Sequence, residues 1–345
     1  MTTTTTTPLQ KFTVPVLLLA ALAALCFGAQ SGMMNLYVQS VIMFMGINII
    51  LSSSLNIVNG YMGEFACGHA GFMAVGAYVS SILSVWLFAD DAVFGTAVLS
   101  PSLAVWLFPV VILAGGVAAA FAGLLVAVPS FKTRGDYLAI ITIAANYIVK
   151  STIENVGAIG GARGFMGMGR VTKAMDASLP LPWMMIWVFA GTVMTVWLIN
   201  RFVSSTQGKG IIAICQDEIA AEIMSVNTNK MKIVAFMLSS GLAGVAGGLF
   251  AHVLGYVNPG SFTIMKSTEC MVMVYLGGMG SLGGSVLSAV LFTLLLEALR
   301  PLQIIKWVVI PLMLVLLMQF RPEGIMGNRE LPQLFPKLKK FYKFK

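Results

Sequence analysis

The chain has 345 residues, 58% of them hydrophobic and only 10% charged, with a mean hydropathy of +0.90. A water-soluble domain carries about a quarter charged residues, so this chain lacks the side chains to cover a wet surface and belongs in a membrane. Its net charge of +8 then reads as the excess of Lys and Arg kept on the cytoplasmic side of membrane proteins, not as a nucleic-acid footprint.

The chain opens on a polar, threonine-rich tail, residues 1–13. The apolar run Val14–Ala29 after it reads as an uncleaved first helix and not as a signal peptide, because apolar runs recur through the rest of the chain. A bilayer core of ~30 Å takes about 20 helical residues. Candidate helices fall at 14–29, 36–58, 65–88, 104–128, 137–156, 183–199, 233–257 and 303–319, and a further apolar region, 268–299, is interrupted by LGGMGSLGG. The predicted fold class is all-α and polytopic, with about eight full spans plus a broken, re-entrant helix pair. The membrane domain runs from 14 to 320 and a basic tail from 321 to 345.

Loop charge sets the sidedness. With the N-terminus inside, the cytoplasmic segments are 1–13, 59–64, 129–136, 200–232 and the C-terminal tail. They carry Lys11, Lys132, Arg134, Arg201, Lys209, Lys230 and Lys232, and then Arg321, Arg329, Lys337, Lys339, Lys340, Lys343 and Lys345. The outer loop 89–103 holds Asp90 and Asp91 and no base, as the positive-inside rule requires. The tail and the 200–232 loop share a side only if 268–299 enters and returns on one side. Its first limb, read as Glu269–Gly277, is ~14 Å of helix, about half a bilayer. The tail's KLKKFYKFK mixes bases with aromatics and suits anionic lipid at the inner face.

Non-helical backbone at membrane depth is tolerated where protein buries it or where it lines a wet cavity. Besides LGGMGSLGG, the stretch Asn59–Phe72 clusters Gly60, Gly63, Gly68 and Gly71 beside Glu64 and His69. One break in each half of a chain is the pattern of broken-helix transporters, so Gly63, Glu64, Gly68, His69, Gly277, Gly278, Gly280 and Ser281 are the candidate path residues. Ionisable groups at depth cost ~2.5–3.5 kcal/mol each on insertion scales, which marks Glu64, His69 and Glu297. Glu297 has Arg300 beside it for a local ion pair, and His252 reads as a satisfied packing residue. Small residues four apart, Gly115, Ala119 and Gly123, or Gly244 and Gly248, read as close helix packing.

Several chemistries are excluded. The four cysteines (Cys26, Cys67, Cys215, Cys270) have no CxxC spacing and no paired histidine, which argues against metal or disulfides. Gly208–Lys209 lacks the P-loop spacing, so no nucleotide site is present. The glycine-rich IGGARGFMGMG lies in the outer loop 157–182, where Arg163, Arg170 and Lys173 give a positive surface suited to an acidic partner.

Residues 216–232, QDEIAAEIMSVNTNKMK, turn polar within the large cytoplasmic loop. Ile219, Ile223 and Val226 fall at helical spacing, and Asp217 and Glu218 sit where the helix dipole favours acids. Lys230 and Lys232 then anchor the next membrane helix. The expectation is a short amphipathic helix across the inner face, offered to a separate motor.

Six motifs in order carry a resemblance: GYMGEFACGHAGFMAVGAY, RGDYLAIITIA, GGARGF, DEIAAEIMSVNTNKMKIVAFMLSSGLAGVAGGLFA, YLGGMGSLGGSVLSA and FRPEGIMG. Together, over residues 36 to 327, they resemble the permease subunit of branched-chain amino-acid ABC importers. The resemblance implies a multi-pass protein of the bacterial inner membrane, with both termini cytoplasmic. It implies a second, similar permease, two ATPase subunits that use ATP and magnesium, and an extracytoplasmic binding protein. No cofactor is held by this chain and no covalent chemistry is done by it. The family's coupling helix maps onto Asp217, Glu218, Ala220, Ala221, Glu222 and Ser225. Two positions depart from the family pattern. Glu64 stands where glutamine is usual, with Ala66 and Cys67 following, and Ser225 stands where glycine is frequent. A urea or short-amide permease of the same superfamily, and a motor-free transporter or channel with GGMGSLGG as its filter, are the alternatives.

Overall fold

The computed structural model describes residues 8–32, 34–90, 95–132, 137–178, 181–320 and 323–327. Asp91, Arg134, residues 1–7 of the polar tail and every base of the C-terminal tail lie outside them, so the lipid-binding expectation for that tail does too.

The described residues are almost wholly helical. In chain order the helices are α1 (Pro8–Gln30), α2 (Leu36–Asn56, continued by a wide π turn Ile57–Tyr61), α3 (His69–Phe88), α4 (Ala104–Ser130), α5 (Tyr137–Asn155), α6 (Met168–Ser178) and α7 (Trp183–Val203). There follow α8 (Thr206–Gln216), α9 (Glu218–Ile223), α10 (Thr228–Leu254), α11 (Ile264–Gly277), α12 (Leu282–Ala298) and α13 (Lys306–Phe320). Five are long and apolar enough to cross a bilayer: Leu36–Tyr61, α3, α4, α7 and α10. Of the expected eight, the other three fall short: α1 offers a shorter apolar helix, Leu18–Gln30, α13 has 15 residues, and α5 breaks its apolar run with Asn146, Lys150 and Glu154.

α10 lies at the centre, packed on α2, α3 and α4. Its small residues let the backbones meet. A Cβ on Gly76 would collide with the backbone of Gly244, and one on Gly248 would lie 2.8 Å from Ser80 Oγ. Between membrane helices such contact supplies the dispersion and backbone packing that hydrophobic burial cannot, since lipid is equally apolar. The tight seam is framed by the edge-on pair Phe72–Phe236, with ring centres 5.5 Å apart. His252 is satisfied as expected: its ring nitrogens lie 2.7 Å from Gly248 O and 2.8 Å from Ser84 Oγ. Glu297 pairs with Arg300 at 3.1 Å.

At one end of the molecule two short strands, β1 (Phe165–Met166) and β2 (Tyr256–Val257), pair antiparallel and tie the 157–182 segment to the end of α10. Arg170 Nη1 donates to Asp90 O in the same region. The opposite end gathers the C-terminal end of α2, the start of α3, and the facing ends of α11 and α12 against α8, α9 and the start of α10.

Two boundaries differ from the sequence reading, each because a local polar partner lets the helix begin earlier. The first limb of the broken pair begins at Ile264, not Glu269, and spans 14 residues, ~21 Å. Lys266 and Glu269 pair at 2.9 Å across one turn and neutralise the charges that interrupt the apolar run. α10 likewise begins at Thr228, where Asn227 Oδ1 accepts from Lys230 N at 3.0 Å. Lys232 is therefore inside the first turns of the helix and buried by protein.

Candidate functional site

The two breaks foreseen 200 residues apart in sequence meet in space, and one side chain joins them. Asn56, the last residue of α2, accepts from Gly280 N at 3.0 Å. It donates to Ser281 O at 3.0 Å and to Ser285 Oγ at 2.8 Å. Its amide oxygen thus serves Gly280 N, which helix geometry leaves unpaired between α11 and α12 and which unsatisfied would cost several kcal/mol in hydrocarbon, on the order of the transfer cost of an amide. Its amide nitrogen adds to Ser281 O, already paired with Ser285 N at 3.1 Å. The approach is close enough that a Cβ on Gly60 would overlap both Asn56 Oδ1 and Gly280 N.

The first break is held in the same way. Asn59 Oδ1 accepts from Ala66 N at 3.2 Å, Thr142 Oγ1 accepts from Cys67 N at 3.1 Å, and Ser267 Oγ accepts from Ala70 N at 3.0 Å. The second is capped from both sides. Ser281 Oγ accepts from Gly284 N at 3.1 Å and starts α12. At the end of α11 the carbonyls of Leu276 and Gly277 accept from Ile325 N and Met326 N, at 2.8 and 3.2 Å. The FRPEGIMG motif thus supplies a turn that closes the C-terminal end of α11.

Between the breaks and α8 lies a cavity of about 490 Å³, walled by Asn59, Gly60, Gly63, Glu64, Phe65, Ile212, Cys215, Tyr275, Met279 and Gly280, among others. Of the candidate path residues, Gly63, Glu64 and Gly280 stand in this wall. The others do not. Gly68 is pressed against the Thr142 backbone, Gly277 against Gly284, and Gly278 against the turn 323–327. Ser281 is the α12 cap. His69 is buried beside it all, its Nε2 2.8 Å from Ser54 Oγ.

Glu64 and the cytoplasmic-loop helix are linked through a single lysine. Lys232 Nζ lies 2.7 Å from Glu64 Oε1 and 2.8 Å from Glu218 Oε1, with 8% of its side chain exposed. Around Glu218, α9 is built as its sequence requires. Asp217 Oδ1 accepts from Ala220 N at 3.0 Å and caps the helix, and Glu222 Oε1 accepts from Thr228 Oγ1 at 3.1 Å. Ala221 turns inward, while Ala220, Ile219, Ile223 and Met224 face out, the last three at 71%, 76% and 78% exposure. Ser225 ends the segment at φ +63°, the left-handed region that glycine fills most easily. Cys215, at the end of α8, has its thiol pushed up by burial and then by the nearby Glu64 carboxylate.

At the other end of the molecule Arg170 and Lys173 border a shallow hollow of about 300 Å³ with Met166 and Gly255. Arg163 contributes its carbonyl, which accepts from Tyr256 Oη at 2.7 Å. Sequence reasoning missed Asn56, Tyr275 and the linking role of Lys232. Asn56 carried a signal, a fully polar side chain inside an apolar run. Lys232 carried one only in retrospect, since a lysine at a helix start reads as interfacial.

Long apolar helices, two broken elements meeting at a cavity and an exposed helix beside it define a helical membrane transport subunit. A family model described as the permease component of branched-chain amino acid transport systems matches residues 37–318, and the chain belongs to that family. It is 30% identical over 318 residues to the high-affinity branched-chain amino acid transport system permease protein LivM of Escherichia coli, covering 85% of this chain and 69% of that one. A probable LivM permease of Methanocaldococcus jannaschii is 22% identical over 336 residues, covering 88% and 96%. The permease LivH of Escherichia coli is 25% identical over 167 residues, covering 47% and 53%. No solved structure matches the chain. Its role is that of the transport subunit of an ABC importer, not of an enzyme.

Proposed function

We propose that this permease carries hydrophobic amino acids such as leucine, isoleucine and valine across the cytoplasmic membrane as half of a paired translocation path. A second, similar permease supplies the other half, two ATPase subunits supply ATP hydrolysis with magnesium, and an extracytoplasmic binding protein delivers cargo. Both termini and the 200–232 loop face the cytoplasm, and about eight spans with the α11–α12 pair returning on itself satisfy the charge pattern. The end bearing Arg163, Arg170 and Lys173 then faces outward and suits an acidic docking surface.

The observation that carries this reading is α9. It turns Ile219, Ile223 and Met224 to solvent while its Glu218 is tied through Lys232 to the cavity wall. An exposed apolar face on a short, capped helix suits a groove on a motor subunit, and the ion bridge gives that helix a physical hold on the path. ATP-driven closure of the motors would move α9 and rock the helices behind it. The test is the double variant Glu218→Lys/Glu222→Lys. It is expected to assemble with its partners yet hydrolyse ATP without uptake, whereas normal coupled uptake would overturn the reading. Copurification from the native host should return a second permease and two ATPase subunits.

A further inference from the structure

The cavity beside Glu64 has the makings of a ligand site in its own right. Its volume, about 490 Å³, falls within the range of small-molecule sites, which are largely apolar with a few placed polar groups. Here Phe65, Ile212, Tyr275 and Met279 form the apolar wall and Glu64 the charged one. Phe65 and Met279 are 40% and 38% exposed, large apolar groups left without protein cover at the mouth. The charge beside them is unbalanced. Two carboxylates, Glu64 and Glu218, share the single ammonium of Lys232, and among the described residues neither has a second basic partner. One negative charge is left over at the cavity, where partial removal from water makes an added cation more favourable than it would be in bulk solvent.

We propose that this cavity is a cargo station at the cytoplasmic end of the path, binding a hydrophobic amino acid through its α-ammonium group at Glu64, with Lys232 displaced toward Glu218. The apolar wall takes the aliphatic side chain and Glu64 takes the ammonium in a charge-assisted hydrogen bond. Lys232 keeps Glu64 paired while the station is empty and stays paired with Glu218 when it is filled, so neither Lys232 nor Glu64 loses its counter-charge in either state, and the cargo carboxylate must stay on the open, solvated side of the cavity. Occupancy is thereby felt at α9. This rests on the reading that the cavity lies on the transport path and adds to it the group that holds cargo and the group that yields to it.

Cys215 stands in the cavity wall and offers a built-in reporter. The experiment uses the full chain in nanodiscs with Cys26→Ser, since Cys67 and Cys270 are buried. It measures maleimide labelling of Cys215 as the ratio of rates with and without ligand. Leucine and 3-methylbutylamine, which carry the ammonium, are expected to slow labelling several-fold, and 4-methylpentanoate, which lacks it, is expected to have no effect. Glu64→Gln should raise the leucine concentration needed by about tenfold or more, the worth of one hydrogen bond to a charged group. Lys232→Met should lower that concentration, because the competing ammonium is gone, and a purely structural role for Lys232 would not produce that direction. No protection by leucine at saturating concentration, or equal protection by 4-methylpentanoate, overturns the station. An unchanged requirement in Lys232→Met overturns the exchange, and if that variant does not fold, Glu64→Gln decides alone. Leucine uptake by the intact assembly separates the two readings, since uptake without protection sinks the station and leaves the transport role standing.

Discussion

Lys232 Nζ sits between Glu64 Oε1 at 2.7 Å and Glu218 Oε1 at 2.8 Å, and so joins the exposed helix α9 to the first helix break, whose Glu64 lies 168 residues before the lysine. Its side chain is 8% exposed, against 24% for Glu64 and 48% for Glu218. Lys232→Met removes the shared cation and leaves two like charges facing each other. A fully buried pair broken on one side loses about 3–5 kcal/mol. Solvent access to both acids reduces this to roughly 1–3 kcal/mol. Thermal unfolding in detergent should show the loss, and Lys232→Arg should restore most of it.

Asn56 holds the two breaks together through three hydrogen bonds. Asn56→Leu fills similar volume but strands Gly280 N in a buried setting and removes the added donations to Ser281 O and Ser285 Oγ. The expected loss is about 2–4 kcal/mol, from the unsatisfied donor at roughly 1–3 kcal/mol and the two lost donations. Asn56→Asp keeps the acceptor for Gly280 N and loses the two donations, so it should lie between. Unfolding temperature and leucine uptake should fall in the order wild type, Asp, Leu.

Gly278 has φ +111°, and a Cβ there would lie 2.8 Å from Gly327 O. Gly278→Ala must therefore push the 323–327 turn off the end of α11 and free the carbonyls of Leu276 and Gly277. Strain of this kind costs on the order of 1–3 kcal/mol before the lost hydrogen bonds are added. Gly157→Ala is the control, since nothing lies within 4 Å of its added carbon. Proteolysis of the turn should rise in the first variant and not in the second.

Cys215 is exposed at the residue level, yet its thiol is held above the ordinary range by burial and then by Glu64. The thiolate is the reactive form. Its alkylation in the absence of ligand should therefore keep rising with pH after an unperturbed thiol has levelled off. Glu64→Gln removes the second cause, lowers the pKa and should speed labelling at any fixed neutral pH. A pH–rate profile in the Cys26→Ser background checks both statements.

Ser225 is the one non-glycine residue with positive φ among the described residues. Ser225→Gly removes a left-handed strain of roughly 1–2 kcal/mol and gives back part of it as chain entropy. A net gain of about 0.5–1 kcal/mol is expected, read as a higher unfolding temperature with coupled uptake intact.

Much of the architecture was legible because lipid imposes few solutions. Apolar run lengths located α2, α3, α4, α7 and α10 to within a few residues, and the alternation of spans, with its sense set by the bases of other loops, put 59–64, which has no base, on the same side as 200–232 before any contact was known. Both groups do meet, at the cavity. Glycine clusters marked both breaks for the same reason, since a helix interrupted at depth must be built from residues that tolerate unusual backbone and close approach. Within those clusters the members could not be sorted. Gly63 and Gly280 face the cavity while Gly68 and Gly277 face other helices, and that choice depends on which neighbour packs there.

The sequence by itself determined that this is a helical membrane protein, where its helices break, and that a short polar segment stands ready beside them. Hydropathy, charge asymmetry and backbone tolerance are properties of local stretches, and they survive being read one residue after another. Only the tertiary structure decided that Asn56 pairs with Gly280, that Lys232 is shared by Glu64 and Glu218, and that Cys215 looks into the same space. Apart from Lys232 with Glu218, those relations join residues some 150 to 225 positions apart, and a side chain's partner is set by the packing of whole helices, which no single stretch of chain contains.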